Sequence, residues 1–192
     1  MKKTISIMVL LTGFSLLQGC IVPFVAGAAA SAVVVNDRRN IQTMSDDQQI
    51  QYTAYQQIIA DPSLTTGSHI VVETFDRNVL LVGEAPTEDI RDRVEAIVRA
   101  LPKVNRIYNQ ITIGPPASAA ELSTDSWITT KVRSEMIATK GLNSGQVKVI
   151  TENGSVYLLG IVTHEQAQLA VNVARHVNGV QRVVKLFEYT NF

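Results

Sequence analysis

One apolar run of five residues occurs twice, and it limits what the chain can become. Val79-Leu80-Leu81-Val82-Gly83 returns as Val156-Tyr157-Leu158-Leu159-Gly160. The stretch before it, Ile70-Val71-Val72-Glu73-Thr74, reappears as Val147-Lys148-Val149-Ile150-Thr151. Downstream, Arg99…Val104-Asn105-Arg106-Ile107 matches Arg175…Val180-Gln181-Arg182-Val183. Spacing is kept to within single residues, so the chain reads as a duplicated small domain and not as unrelated strands. At about 70 residues per copy, a core without disulfide or metal is near the lower limit of self-sufficiency, so the copies are expected to lean on each other.

Each copy reads as helix, strand, strand, helix, strand. In the first, residues 46–60 carry Ile50, Ala54, Ile58 and Ile59 at helical spacing, and Asp61-Pro62 stops that helix. Residues 69–74 and 79–84 are strands around the turn Phe75-Asp76-Arg77-Asn78. A second helix opens at Ala85-Pro86-Thr87-Glu88 with Ile90, Val94, Ile97 and Val98 inward, and residues 104–113 form the third strand. Gly114-Pro115-Pro116-Ala117 starts a semi-rigid linker over 114–123. In the second copy, Thr124 or a neighbour caps a helix over 125–139, and Asp125 stands at its positive end. Strands 146–151 and 155–160 flank Asn153-Gly154, a strong hairpin signal; a helix over 163–177 and a strand over 180–189 complete the copy. The expected fold class is α+β, two tandem α-β-β-α-β modules at 46–113 and 124–192, each a small three-stranded mixed sheet on two helices.

Seventeen basic and seventeen acidic residues leave no charge excess to argue for nucleic acid. The single cysteine, Cys20, excludes an intramolecular disulfide and a multi-cysteine zinc site. His69, His164 and His176 stand apart, without the spacing of a metal pair. No Gly-x-Ser-x-Gly, Ser-x-x-Lys or glycine-rich phosphate loop occurs, and Asp46-Asp47 and Glu88-Asp89 fall at expected helix starts, where carboxylates have a structural role. The expectation is no catalytic residue, no metal and no cofactor.

The N-terminus has a basic Met1-Lys2-Lys3 and an apolar stretch over 5–17, short for a bilayer span but suited to a signal peptide over 1–19. It ends in Leu17-Gln18-Gly19-Cys20, which resembles the lipobox of bacterial lipoproteins. That resemblance implies acylation of the Cys20 thiol, cleavage before it and acylation of the new N-terminus. Acyl chains at both places hold a protein far more firmly than a single chain does. In the same lipoprotein pattern, the resemblance implies that Ile21, rather than aspartate, after the cysteine directs export to the outer membrane instead of retention in the inner one. Residues 20–45, rich in Gly and Ala at their start, then form a lipidated tether.

With the lipobox, the two Val-x-Leu-x-Gly-type strands and the run from Thr124-Asp125-Ser126-Trp127 to Arg133-Ser134 together, the chain resembles the DolP/YraP family of dual BON-domain lipoproteins of Gram-negative bacteria. The resemblance covers essentially the whole chain. It implies an outer-membrane anchor facing the periplasm, binding of anionic phospholipid through the first helix of the second module, association with division sites and a role in envelope integrity. The candidate lipid-binding residues are Trp127, Ile128, Thr130, Lys131, Arg133, Ser134, Ile137 and Ala138.

The residues support part of this independently. Aligning Ile50 with Ile128 sets Trp127 opposite Gln49 and Lys131 opposite Thr53. On a helical wheel Ile128, Val132 and Met136 share the face to be buried, whereas Trp127 falls beside Thr130, Lys131, Ser134 and Ala138. An amphipathic ring beside a cation suits a bilayer headgroup layer. A different reading makes Trp127 a hot spot for outer-membrane assembly or cell-wall remodelling proteins. A third makes the repeats mere spacers and expects Trp127 to be buried.

Overall fold

The computed structural model describes residues 39–191, so the signal peptide, Cys20 and all but the end of the tether lie outside the described residues. The first module contains α1 (Ile41–Ile59), a four-residue helical turn α2 (Pro62–Thr65), β1 (His69–Phe75), β2 (Asn78–Ala85), α3 (Glu88–Arg99), β3 (Arg106–Asn109) and β4 (Thr112–Ile113). The second contains α4 (Ala119–Ala138), β5 (Lys148–Glu152), β6 (Ser155–Val162), α5 (His164–Ala174) and β7 (Arg182–Tyr189). In each, an antiparallel hairpin is extended by a parallel strand returning after the crossover helix, giving the orders β1-β2-β3 and β5-β6-β7. The expected single strand over 104–113 is broken: β3 and β4 both run beside β2, and at the break Ile111 N–H donates to the Asn109 side chain instead of to the ladder.

The central strands are buried along almost their whole length, which explains why they read as continuous apolar runs and not as an alternation. One face of β2, with Val79, Leu81 and Ala85, packs on Ile50, Ala54, Ile58, Val94 and Val98 of the helices. One face of β6, with Val156, Leu158 and Val162, does the same on Ile128, Val132, Met136, Ala170 and Ala174. The opposite faces meet each other: Phe75, Leu80 and Val82 form a single cluster with Ile150, Tyr157 and Leu159. The modules therefore lean on each other through stacked sheets, with the helices outside. All three clusters close within residues 39–191.

The glycine that ends each repeated run has a steric cause. A Cβ on Gly83, which has φ +108°, would collide with the carbonyl oxygen of His69, and a Cβ on Gly160 would collide with that of Gln146. The neighbouring backbone passes too close for any side chain.

Each module also repeats one polar device. Asp47 on α1 accepts hydrogen bonds from the backbone N–H groups of Asp76 (2.9 Å) and Arg77 (2.6 Å). Asp125 on α4 accepts them from Asn153 (2.6 Å) and Gly154 (2.9 Å). All four turn residues have positive φ, as a type I′ hairpin demands, and the buried carboxylate holds that turn against the helix. This corrects the helix-start roles expected for Asp46, Asp47 and Asp125. Helix α1 begins at Ile41 with Asn40 as its cap, and α4 begins at Ala119. Asp46 is also buried; Lys103 above all, with Gln42 and Arg77, lowers its carboxyl to about 2 against the opposing effect of burial.

Polar contacts edge the sheet interface. Lys148 Nζ pairs with Glu73 at 2.6 Å and donates to the Thr74 carbonyl, and Asn78 donates to Glu188. Glu84 accepts from the Ala117 N–H in the linker. Glu152 is buried, one of its oxygens has no hydrogen-bond partner, and His69 Nε2 lies 3.6 Å from it across the interface. Burial, with the nearby charges of Glu84 and Asp125, pushes the Glu152 carboxyl up to about 7.

Asp125→Ala leaves two N–H groups of a tight turn without their acceptor, and it is expected to cost about 2–4 kcal/mol in denaturant unfolding. Glu152 gives a pH signature. Its folded-state value is raised, so its contribution is fully present below the ordinary carboxyl value and is lost as pH rises through about 7. Glu152→Gln should leave stability near pH 4 almost unchanged and raise it at pH 8 by about 2 kcal/mol. Equal effects at the two pH values would contradict this assignment.

Candidate functional site

Helix α4 starts earlier than its sequence suggests because Ser118 and Glu121 form a reciprocal capping box, each side chain taking the other's backbone N–H. The helix consumes half of the expected linker, and Trp127 comes to lie about two turns inside it, away from a fraying end. Asp125, Ile128, Val132 and Met136 fill its inner face. Trp127 is 51% exposed on its outer side and Ile137 is 73% exposed. The reading of the repeats as mere spacers, which required a buried Trp127, is thereby contradicted.

The structure divides the expected residues. Trp127, Thr130, Ser134, Ile137 and Ala138 are exposed together, with Lys131 partly exposed among them. Ile128 is 1% exposed and belongs to the core, so it cannot touch a ligand on this face. Arg133 is exposed, but its guanidinium is engaged on the sheet side of the helix, where it donates to the Val149 carbonyl at 2.9 Å. Lys131 is held only by a surface pairing with Glu135 at 3.5 Å, a contact weak enough to be exchanged for another anion.

The outer surface is less polar than its composition. The hydroxyls of Thr124, Ser126 and Thr130 donate to the carbonyls of Ala120, Leu122 and Ser126, one turn back. Satisfied on their own helix, they add little demand for water to the surface around Trp127. Beside it, a crevice of about 630 Å³ separates α4 from α5; Trp127 and Lys131 line one wall, Asn172, His176 and Asn178 the other. His176 donates from Nδ1 to the Asn172 carbonyl at 2.6 Å in this arrangement. The far wall was missed in the sequence, where only the helical spacing of Asn172 and His176 hints at it. Also missed was a stripe on α1, where Tyr52, Tyr55 and Ile59 are all exposed.

Among the described residues, no three His, Cys, Asp or Glu side chains gather as metal ligands, and no helix is long and apolar enough to cross a membrane.

The sequence has matches of known description. The model of the BON domain fits residues 46–115 and again 124–191. The chain is 35% identical over 181 residues to the outer membrane lipoprotein DolP of Haemophilus influenzae, covering 94% of each. It is 35% identical over 153 residues to the 21 kDa hemolysin of Actinobacillus pleuropneumoniae, covering 80% of this chain and 79% of that one. A solved structure of CdsD, a structural protein of the type III secretion system of Chlamydia trachomatis, aligns with 72% of this chain and 91% of its own at 12% identity and a TM-score of 0.30, too distant to bear on function.

Proposed function

The chain belongs to the BON-domain family, as a two-domain outer-membrane lipoprotein of the DolP type, and from that premise we propose that it contacts anionic phospholipid with the outer face of α4. Acylated Cys20 anchors it at the periplasmic face of the outer membrane, where it supports envelope integrity, at division sites among others. Its work is binding and not catalysis. The observation that carries the reading is the half-exposed Trp127 above a crevice shared with Lys131, on a helix whose inner face is already committed to the core.

The energetics fit a tethered protein. One cation near an anionic surface contributes about 1 kcal/mol, too little to recruit a free molecule. A lipid anchor turns the second contact into a local event at high effective concentration, and a weak, headgroup-selective site is then enough. The indole inserts at headgroup depth, Lys131 exchanges Glu135 for a lipid phosphate, and Ile137 adds apolar area. Losing Arg133 from the site leaves Lys131 as its principal cation.

The exposed Tyr52, Tyr55 and Ile59 on α1 favour a second, separate role as an adaptor for outer-membrane assembly or cell-wall remodelling proteins, since paired tyrosines on a helix are characteristic of protein contacts.

The test is a titration of residues 37–192, which hold all three apolar clusters, with vesicles of zwitterionic or mixed anionic phospholipid, following the emission of Trp127. A blue shift is expected with anionic vesicles only, weakened by salt and lost in Lys131→Glu; Arg133→Gln should retain it. No shift with either vesicle would remove lipid recognition and leave the protein-adaptor reading.

A further inference from the structure

The duplication supplies an internal control for a second cleft. In the first module, Glu95 on α3 bridges two partners: one oxygen binds the Arg99 guanidinium and the other accepts from Asn109 Nδ2 at 2.8 Å. Asn109 stands on β3 opposite Leu81 of β2. Counting from the equivalent N-caps Thr87 and Thr163, Glu95 corresponds to Val171 on α5 and Arg99 to Arg175. The sheet register gives the third equivalence, because Lys185 on β7 stands opposite Leu158, the counterpart of Leu81. The second module thus lacks the bridging carboxylate and carries a cation where the first has its amide partner.

Arg175 and Lys185 line one cleft of about 540 Å³ between α5 and β7, and neither side chain has a hydrogen bond or ion pair among the described residues. Both residues are exposed at the same cleft, so an incoming anion meets two cations that have no internal partner to give up. The rest of the cleft is suited to an uncharged body attached to that anion. Gln168 and Asn172 supply amide donors and acceptors, and Tyr189, stacked on His164 with ring centroids 4.1 Å apart, supplies an aromatic platform at one end. Glu165, beside His164 at the start of α5, is the one carboxylate in the lining. In the equivalent groove of the first module the lining carries Asp92 and Glu95.

We propose that the cleft between α5 and β7 binds an acidic saccharide, its carboxylate or phosphate between Arg175 and Lys185 and its ring against Tyr189. The volume falls within the range of small-molecule sites. The amides take sugar hydroxyls, and the anion occupies the place that the Glu95 carboxylate fills in the first module. The site adjoins the crevice beside Trp127 around α5, and the two share only Asn172. It does not rest on the lipid reading.

The experiment is NMR titration of the isotope-labelled full chain in a zwitterionic detergent with galacturonate, glucose 6-phosphate, glucose and inorganic phosphate. Saturable shifts are expected at Gln168, Asn172 and Lys185 with galacturonate and glucose 6-phosphate, and only weak shifts with glucose or phosphate. The double variant Val171→Glu with Lys185→Asn rebuilds the arrangement of the first module and fills the site internally. It should bind the charged sugars about tenfold more weakly or worse while keeping the fold and the Trp127 signals. Arg175→Gln should weaken binding in the same direction. No saturable shift at the cleft, equal shifts from phosphate alone, or full binding by the rebuilt variant would each overturn the proposal.

Discussion

Everything in this molecule depends on two strands that have no polar face. Val79–Val82 in β2 and Val156–Leu159 in β6 present apolar side chains both ways, and a sheet with helices on one side hides only half of them. The other half needs a second sheet, and the duplicated module provides it, so that Leu80 and Val82 meet Tyr157 and Leu159. A core split between two modules of this size explains how each persists without disulfide or metal. It also sets the helices on the outer surfaces, where α4 exposes Trp127 and Ile137.

Duplication preserved what the fold needs and released the rest. The glycines that clear a neighbouring carbonyl are present in both copies, as are the aspartates that grip the hairpin turns, Asp47 and Asp125. The exposed positions have diverged. Gln49 and Thr53 in the first copy stand opposite Trp127 and Lys131 in the second, and the neutralised Glu95–Arg99–Asn109 set stands opposite Val171, Arg175 and Lys185. Comparing copies thus separates residues that hold the fold from residues free to acquire a ligand. On that basis the second module is where both proposed sites fall, the outer face of α4 and the cleft between α5 and β7.

Much of this was legible in the sequence. The repeat pointed to the module count, helical periodicity to the inner faces of α1 and α4, except that Ile59, expected on the buried face of α1, is exposed, and Asn153-Gly154 to a hairpin. What escaped were features set by partners distant in sequence. Asp125 resembled a helix-start charge because its acceptor role depends on a turn 28 residues away. Ser118 was passed over as linker because its capping partner Glu121 had been assigned to that linker too. Arg133 enters the candidate list only through the family resemblance, and no sequence pattern shows that the Val149 carbonyl lies within its reach. Ile128 was placed in the core by its periodicity and counted in the ligand face only through family resemblance; the periodicity was the better guide.

The claim on which the account stands is that the stacked sheets make one folding unit. Native-state hydrogen exchange of residues 37–192 tests it directly, comparing amides of β2 and β6 in the wild-type protein and in Leu80→Ala, which removes side-chain atoms only from the first module's contribution to the shared cluster. The account predicts that the slowest amides of both strands open with the same free energy, and that both lose about 2–4 kcal/mol of protection together in the variant. Protection lost in β2 while β6 keeps its wild-type value would mean that the modules fold independently and would contradict it.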